Sequence, residues 1–207
     1  MKLTRRFTAV VGAAAALALP AVSQAQVTYY TTGVFTSTGT NSVNNGGMFI
    51  TFAGRPSTTT STPSNISFGD FVSSGATANA SGTFSDQFTL NVFQTAPTTG
   101  TGTFVGAFGG TITNTGSLTY WNPSDPTIFN IGASTYSLTN FTPGLGYSIV
   151  APNNNNGRTT VQGFVSTPEP SSMALLGTGL IGLVPMIRRK KQKEHRCNRS
   201  GAARQAR

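Results

Sequence analysis

Between residues 26 and 167, apolar positions tend to recur at every second residue, and no stretch shows the i, i+3, i+4 spacing of an amphipathic helix. Val27-Thr28-Tyr29-Tyr30 opens a strand predicted to run to Phe35. Met48-Phe49-Ile50-Thr51-Phe52 predicts a second, and Ile66-Ser67-Phe68 with Phe71-Val72 a third. Phe84 and then Phe88-Thr89-Leu90-Asn91-Val92 alternate apolar with polar. Phe104, Phe108 and Ile112 recur within Thr103–Thr113 with glycine between them. Leu118–Tyr120, Ile128–Phe129, Tyr136–Leu138, Tyr147–Ile149 and Val161–Val165 complete a set of nine or ten short strands. Their Phe, Tyr, Thr, Val and Ile suit a pleated, half-buried surface.

Turn chemistry falls between these runs. Asn45-Gly46 and Asn156-Gly157 are hairpin-type dipeptides, and Pro143-Gly144 marks another turn. Arg55–Ser64 and Thr95–Thr103 read as low-complexity loops. Strands at this spacing predict an all-β passenger, an antiparallel β-sandwich or jelly-roll-like domain spanning residues 26–167. The segments Gly82–Phe88 and Gly102–Phe108 match at four of seven positions, which fits adjacent strands of one hairpin rather than a repeat array.

The two ends follow a different pattern. At the N-terminus, Lys2, Arg5 and Arg6 precede an apolar run from Phe7 to Leu19, then Pro20 and the small-x-small triplet Ser23-Gln24-Ala25. This is the layout of a secretory signal peptide over residues 1–25, with its helix too short to span a bilayer comfortably. The expected cut lies between Ala25 and Gln26, and the Sec translocon and signal peptidase are the implied partners. Arg5-Arg6 also admits a twin-arginine reading, but nothing in the chain suggests a cofactor loaded before export. At the other end, Ser171–Ile187 forms an apolar stretch, roughly 25 Å long as a helix, followed by the basic stop Arg188, Arg189, Lys190 and Lys191. A single transmembrane helix over residues 171–187 is expected, with its basic end in the cytoplasm. The tail, residues 192–207, is polar and basic and is expected to stay on that side. Its His195 and Cys197 have no ligand partners at metal spacing.

Charge sharpens this partition. The chain has 207 residues, 14 Lys+Arg, 5 Asp+Glu and a formal net charge of +9. Nine of the basic residues lie between Arg188 and Arg207. Residues 26–167 hold only Arg55 and Arg158 against Asp70, Asp86 and Asp125, so two positives less three negatives leave −1. A phosphate backbone is bound through many Lys and Arg contacts, so no nucleic-acid binding is expected of the passenger. That stretch also has no Lys, Glu, His or Cys. General acid–base and nucleophilic catalysis draw mainly on His, Glu, Asp, Lys, Cys and Tyr, of which only three Asp and some Tyr remain here, and a Ser-His-Asp triad needs a histidine. No enzymatic activity and no cofactor are expected.

Pro168-Glu169-Pro170, the short glycine-containing apolar stretch and the basic stop occur in that order over residues 168–191. This segment resembles the PEP-CTERM sorting signal of bacterial exosortase substrates. The resemblance implies that exosortase, an integral-membrane cysteine protease, cuts near the PEP motif. The chain would be held transiently at the inner membrane, facing the periplasm, then released to the cell surface or extracellular space. Such signals usually end soon after the basic stop, whereas here sixteen residues follow. Many proteins with this signal carry a β-rich domain of unassigned role, and no residue roles carry over from them.

Within the passenger, Tyr120, Trp121 and Asn122, with Asp125 nearby, suggest a platform on which a sugar would stack; extracellular polysaccharide is the ligand it would take. The alternative is that Trp121 is core. Asp70, Asp86 and Asp125 lack the DxDxD-type run of a calcium loop and the Asp-Thr-Gly loops of aspartic proteases, so no metal is expected. Asn65-Ile66-Ser67, Asn79-Ala80-Ser81 and Asn140-Phe141-Thr142 match the N-glycosylation sequon, as a Ser/Thr-rich chain does by chance. The low charge and abundant hydroxyls fit a structural or adhesive matrix component, since weak repulsion favours association. A carbohydrate-binding module, an Asp-dependent hydrolase and a permanently membrane-anchored surface protein are the other readings.

Overall fold

The alternating runs fold into twelve antiparallel strands in two six-stranded sheets. The computed structural model describes residues 24–168, which form one compact unit. In chain order the strands are β1 (Gln26–Phe35), β2 (Ser42–Asn45), β3 (Met48–Gly54), β4 (Thr58–Ser61), β5 (Ser64–Gly75), β6 (Ser81–Ala96), β7 (Gly100–Thr113), β8 (Tyr120–Pro123), β9 (Ile128–Ile131), β10 (Ser134–Thr139), β11 (Tyr147–Ser148) and β12 (Arg158–Ser166). The first sheet has the order β11-β8-β7-β6-β1-β4 and the second β2-β3-β5-β12-β10-β9. A 3-10 turn at Asn155–Gly157 precedes β12, and the described residues contain no α-helix. The signal helix, the 171–187 membrane helix, Glu169, Pro170, the basic stop Arg188, Arg189, Lys190 and Lys191, and the tail with His195 and Cys197 lie outside the described residues.

The all-β, two-sheet expectation holds, and three details differ from the sequence reading. There are twelve strands rather than nine or ten, and six per sheet rather than the eight in all of a jelly roll. The Arg55–Ser64 stretch is not wholly loop, because Thr58–Ser61 forms the edge strand β4 against β1. A strand of four hydroxyl residues shows no apolar alternation, so its sequence carries no strand signal. The Thr95–Thr103 stretch shrinks to a connection at residues 97–99, because β6 and β7 extend into it from both sides.

Local chemistry sets several of the turns. In the β2–β3 hairpin, Asn45 pairs with Met48 and leaves Gly46-Gly47 as a two-residue loop. Both central residues have positive φ, 56° and 79°, the conformation tight hairpins demand and glycine supplies. A Cβ at Gly46 would fall 1.8 Å from the Ser81 carbonyl oxygen, so the turn also needs the missing side chain for space. In the longest hairpin, β6 pairs with β7, with Gly82 opposite Ile112 and Phe88 opposite Gly106. The two matching seven-residue segments therefore lie on neighbouring strands.

One face of each sheet is apolar, and the two faces share a core of rings. Phe88 of β6 sits at its centre, with ring centroids 4.9 Å from Phe35, 5.1 Å from Phe52, 4.8 Å from Phe71 and 5.3 Å from Trp121. Phe52 and Phe71 belong to the second sheet, so these contacts join the layers. Fully burying one such side chain stabilises by about 1.5–3 kcal/mol. One side of the sandwich is also stitched by polar bonds. The Thr31 N–H donates to the Arg55 carbonyl at 3.0 Å, the Arg55 N–H donates to Thr31 Oγ1 at 2.7 Å, and Thr31 Oγ1 donates to the Phe68 carbonyl at 2.5 Å. These bonds satisfy buried polar groups that would otherwise oppose burial.

Candidate functional site

The passenger's two ends meet at one residue. Thr62, between β4 and β5, is buried with 3% exposure. Its backbone N–H donates to the Ala25 carbonyl at 2.8 Å, and its hydroxyl lies 3.2 Å from the same oxygen. The Thr62 hydroxyl also bonds Thr167 Oγ1. A hydroxyl has one proton and two lone pairs, so Thr62 donates to Ala25 and accepts from Thr167. Strand pairing explains the convergence. Gln26 pairs with Ser61 on one side of the corner, and Val165 pairs with Ser64 on the other. The Ala25–Gln26 bond thus sits where β1 begins, and Pro168 follows the bonded Thr167 directly. Thr62 lies in a stretch read as loop. It is found only when residues 25, 62 and 167 come together in space.

The proposed sugar platform does not form around Trp121. β8 points Trp121 inward, where it is fully buried and stacks on Tyr147 at 5.7 Å, with an interplanar angle of 16°. No face of the indole is left for a sugar ring, and its N–H has no hydrogen-bond partner among the described residues. The alternation of β8 sends Tyr120, 36% exposed, to the opposite face, while the Asn122 amide reaches the Gly144 carbonyl at 3.4 Å. Tyr120 and Trp121 cannot share a surface because neighbours on a strand face opposite ways.

The three aspartates occupy separate places. Asp70 of β5 pairs with Arg158 at 2.8 Å and accepts from the Thr160 hydroxyl at 2.6 Å. Asp86 of β6 accepts from the Ser37 N–H at 3.1 Å and the Ser37 hydroxyl at 2.5 Å. Asp125 is exposed in the connection between β8 and β9. No group of three potential metal-ligating side chains occurs among the described residues.

A shallow cleft of about 450 Å³ opens beside the stitched edge, lined by Thr32, Asn41, Phe52, Arg55 and Pro56 among others. It contains no acid–base pair. The buried phenols lie elsewhere in the core. Tyr136 donates to Gln94 Oε1 at 2.8 Å, and Tyr147 lies 2.6 Å from the carbonyls of both Thr139 and Gln162. Burial raises the Tyr147 phenol well above its ordinary pKa. It does the same for Tyr136, helped by the neighbouring Tyr29 phenol. Tyr29 is raised by burial and lowered less by Arg55. These groups stay protonated at neutral pH and act as core hydrogen-bond donors.

The outer face of the first sheet is made largely of hydroxyls and amides. Thr28 bonds Thr59 across β1 and β4, Thr83 bonds Thr111 across β6 and β7, and Tyr30 stacks on Phe93 at 4.7 Å. Cross-strand pairs of this kind each stabilise a sheet by roughly 0.2–1 kcal/mol.

No curated protein and no solved structure matches the chain. Residues 166–191 match the family described as the PEP-CTERM protein-sorting motif, from the end of β12 through the apolar stretch to the basic stop. Residues 166–191 thus carry a PEP-CTERM sorting motif, which implies an exported protein targeted to exosortase, with membrane-anchored transit before processing.

Proposed function

We propose that the passenger is a non-catalytic component of the extracellular matrix or cell surface, with a structural or adhesive role. In this reading, Sec export and signal peptidase deliver residues 26–167 to the periplasm. The C-terminal stretch holds them at the inner membrane, and exosortase releases them outward. The observation that carries the reading is the union of an exosortase sorting motif with a nearly uncharged, hydroxyl-rich β-sandwich whose few carboxylates are dispersed. Low net charge weakens repulsion between copies, and exposed hydroxyls and amides hydrate the surface while leaving hydrogen-bonding groups for a matrix. The burial of Trp121 removes the residue on which the carbohydrate-binding alternative was centred.

The test is fractionation of producing cells with and without exosortase, combined with intact mass of the passenger. With exosortase, a chain lacking Arg188–Arg207 is expected in the surface or extracellular fraction. A passenger that keeps that segment and stays in the inner membrane would establish the anchored alternative. A broad hydrolase screen on the released passenger is expected to show no turnover. Measurable turnover would overturn the non-catalytic assignment.

A further inference from the structure

We propose that the corner around Thr62 is a processing latch: exosortase gains the PEP motif only when Thr167 leaves Thr62 and the end of β12 lifts from β5 and β10. The inference rests on processing by exosortase and adds the conformational step that precedes it. Three observations lead to it. The last strand is paired to its end on both sides, with Val165 opposite Ser64 of β5 and Ser166 opposite Thr135 of β10. Beyond the ladder, Thr167 bonds the buried Thr62. Pro168, the first residue of the motif, comes next, so no linker separates fold from signal.

Covalent reach makes this arrangement restrictive. Four residue steps join Thr167 to Ser171, where the apolar stretch begins, and they cover roughly 14 Å at full extension. The headgroup layer takes up roughly 5–8 Å of that distance. A peptide bound as an extended strand is held through its main-chain hydrogen bonds. Val165 and Ser166, shortly before Pro168, are already paired within the sandwich. A protease that holds residues on both sides of the motif therefore competes with β5 and β10 for the same backbone and displaces the Thr167 hydroxyl from Thr62. Local opening at a strand end is far less costly than global unfolding, and a cut that requires it proceeds in proportion to the open population.

The N-terminal side of the corner responds to an earlier event. While Ala25 is present, the Thr62 proton goes to its carbonyl and Thr167 supplies the second bond. A cut after Ala25 removes that acceptor. Thr62 is then free to donate to Thr167, so the latch persists after signal-peptide removal.

The experiment uses the full chain in cells containing exosortase, with the rate of loss of the C-terminal segment followed after pulse labelling. A four-residue Gly-Ser linker between Thr167 and Pro168 leaves the latch intact but frees the motif, and is expected to speed processing by about threefold or more. Thr62→Val removes the hydroxyl bonds and is expected to speed processing by about fivefold. Thr62→Cys with Thr167→Cys, in a Cys197→Ser background, places two thiols side by side. Oxidised, this variant is expected to be cut about tenfold more slowly, and reductant should restore the rate. A linker variant and an oxidised double-cysteine variant both cut at the wild-type rate would overturn the latch. A wild-type chain that exosortase never cuts would overturn the processing reading itself, and the latch with it. The linker variant keeps Thr62, so a folding defect in Thr62→Val cannot decide the outcome.

Discussion

Replacing Phe88 by alanine tests whether the two sheets share one core. Phe88 is fully buried and touches rings from both layers: Phe35 and Trp121 in its own sheet, Phe52 and Phe71 in the other. A buried Phe→Ala change costs about 3–5 kcal/mol, as lost transfer energy plus the cavity left behind. Four ring neighbours place this site at the upper end, because favourable aromatic pairs add about 0.5–1.5 kcal/mol beyond area. The expected loss is therefore about 4–5 kcal/mol, against a total of about 5–15 kcal/mol for a domain. At about 3 °C per kcal/mol for a domain of this size, the melting temperature should fall by about 12–15 °C. Urea denaturation of the passenger, followed by tryptophan fluorescence and far-ultraviolet circular dichroism, would measure it. Phe49→Ala is the matched control, since Phe49 is 37% exposed on the outer face of β3, and it should cost about 1 kcal/mol or less. If Phe88→Ala costs no more than Phe49→Ala, the shared core is wrong.

Trp121→Phe should cost much less than the roughly 3–5 kcal/mol of Trp121→Ala, because phenylalanine keeps part of the packing and removes an indole N–H with no partner; equal losses in thermal melts would refute this. The raised phenols of Tyr29, Tyr136 and Tyr147 make the fold sensitive to alkali. Unfolded tyrosine ionises near pH 10, so their contribution is complete below that value and is lost as pH rises above it, by up to about 1.4 kcal/mol per pH unit for each phenol. A urea midpoint that does not move between pH 9 and 11 would contradict it. Asp70→Asn breaks the Arg158 pair, whose side chains are 22% and 55% exposed, and should cost less than about 1 kcal/mol; a larger loss in urea titration would mean the pair is not screened by water.

The sorting motif over residues 166–191 was legible in the sequence because its pattern is local: a Pro-Glu-Pro tripeptide, an apolar run and a basic stop follow one another along the chain. Strand character was legible for the same reason, since a period of two follows from the geometry of one strand. The alternation around Phe88 and the recurrence of Phe104, Phe108 and Ile112 pointed to β6 and β7, while Asn45-Gly46 signalled the first hairpin one residue early, since Asn45 still pairs with Met48 and the loop is Gly46-Gly47. The polar edge strand Thr58–Ser61 escaped because it buries too little apolar surface to leave a pattern.

Which strands are neighbours, and what meets at their ends, is settled by packing in three dimensions. Tyr120-Trp121-Asn122 reads as a possible platform in one dimension, and the pleat turns its tryptophan into the core. Thr62 is one of several threonines in a monotonous stretch until β4 and β5 bring it between Ala25 and Thr167. Hydrogen bonds between residues 37 and 105 positions apart have no local signature. They depend on strand order and register, which are set by the packing of both sheets around a common set of rings.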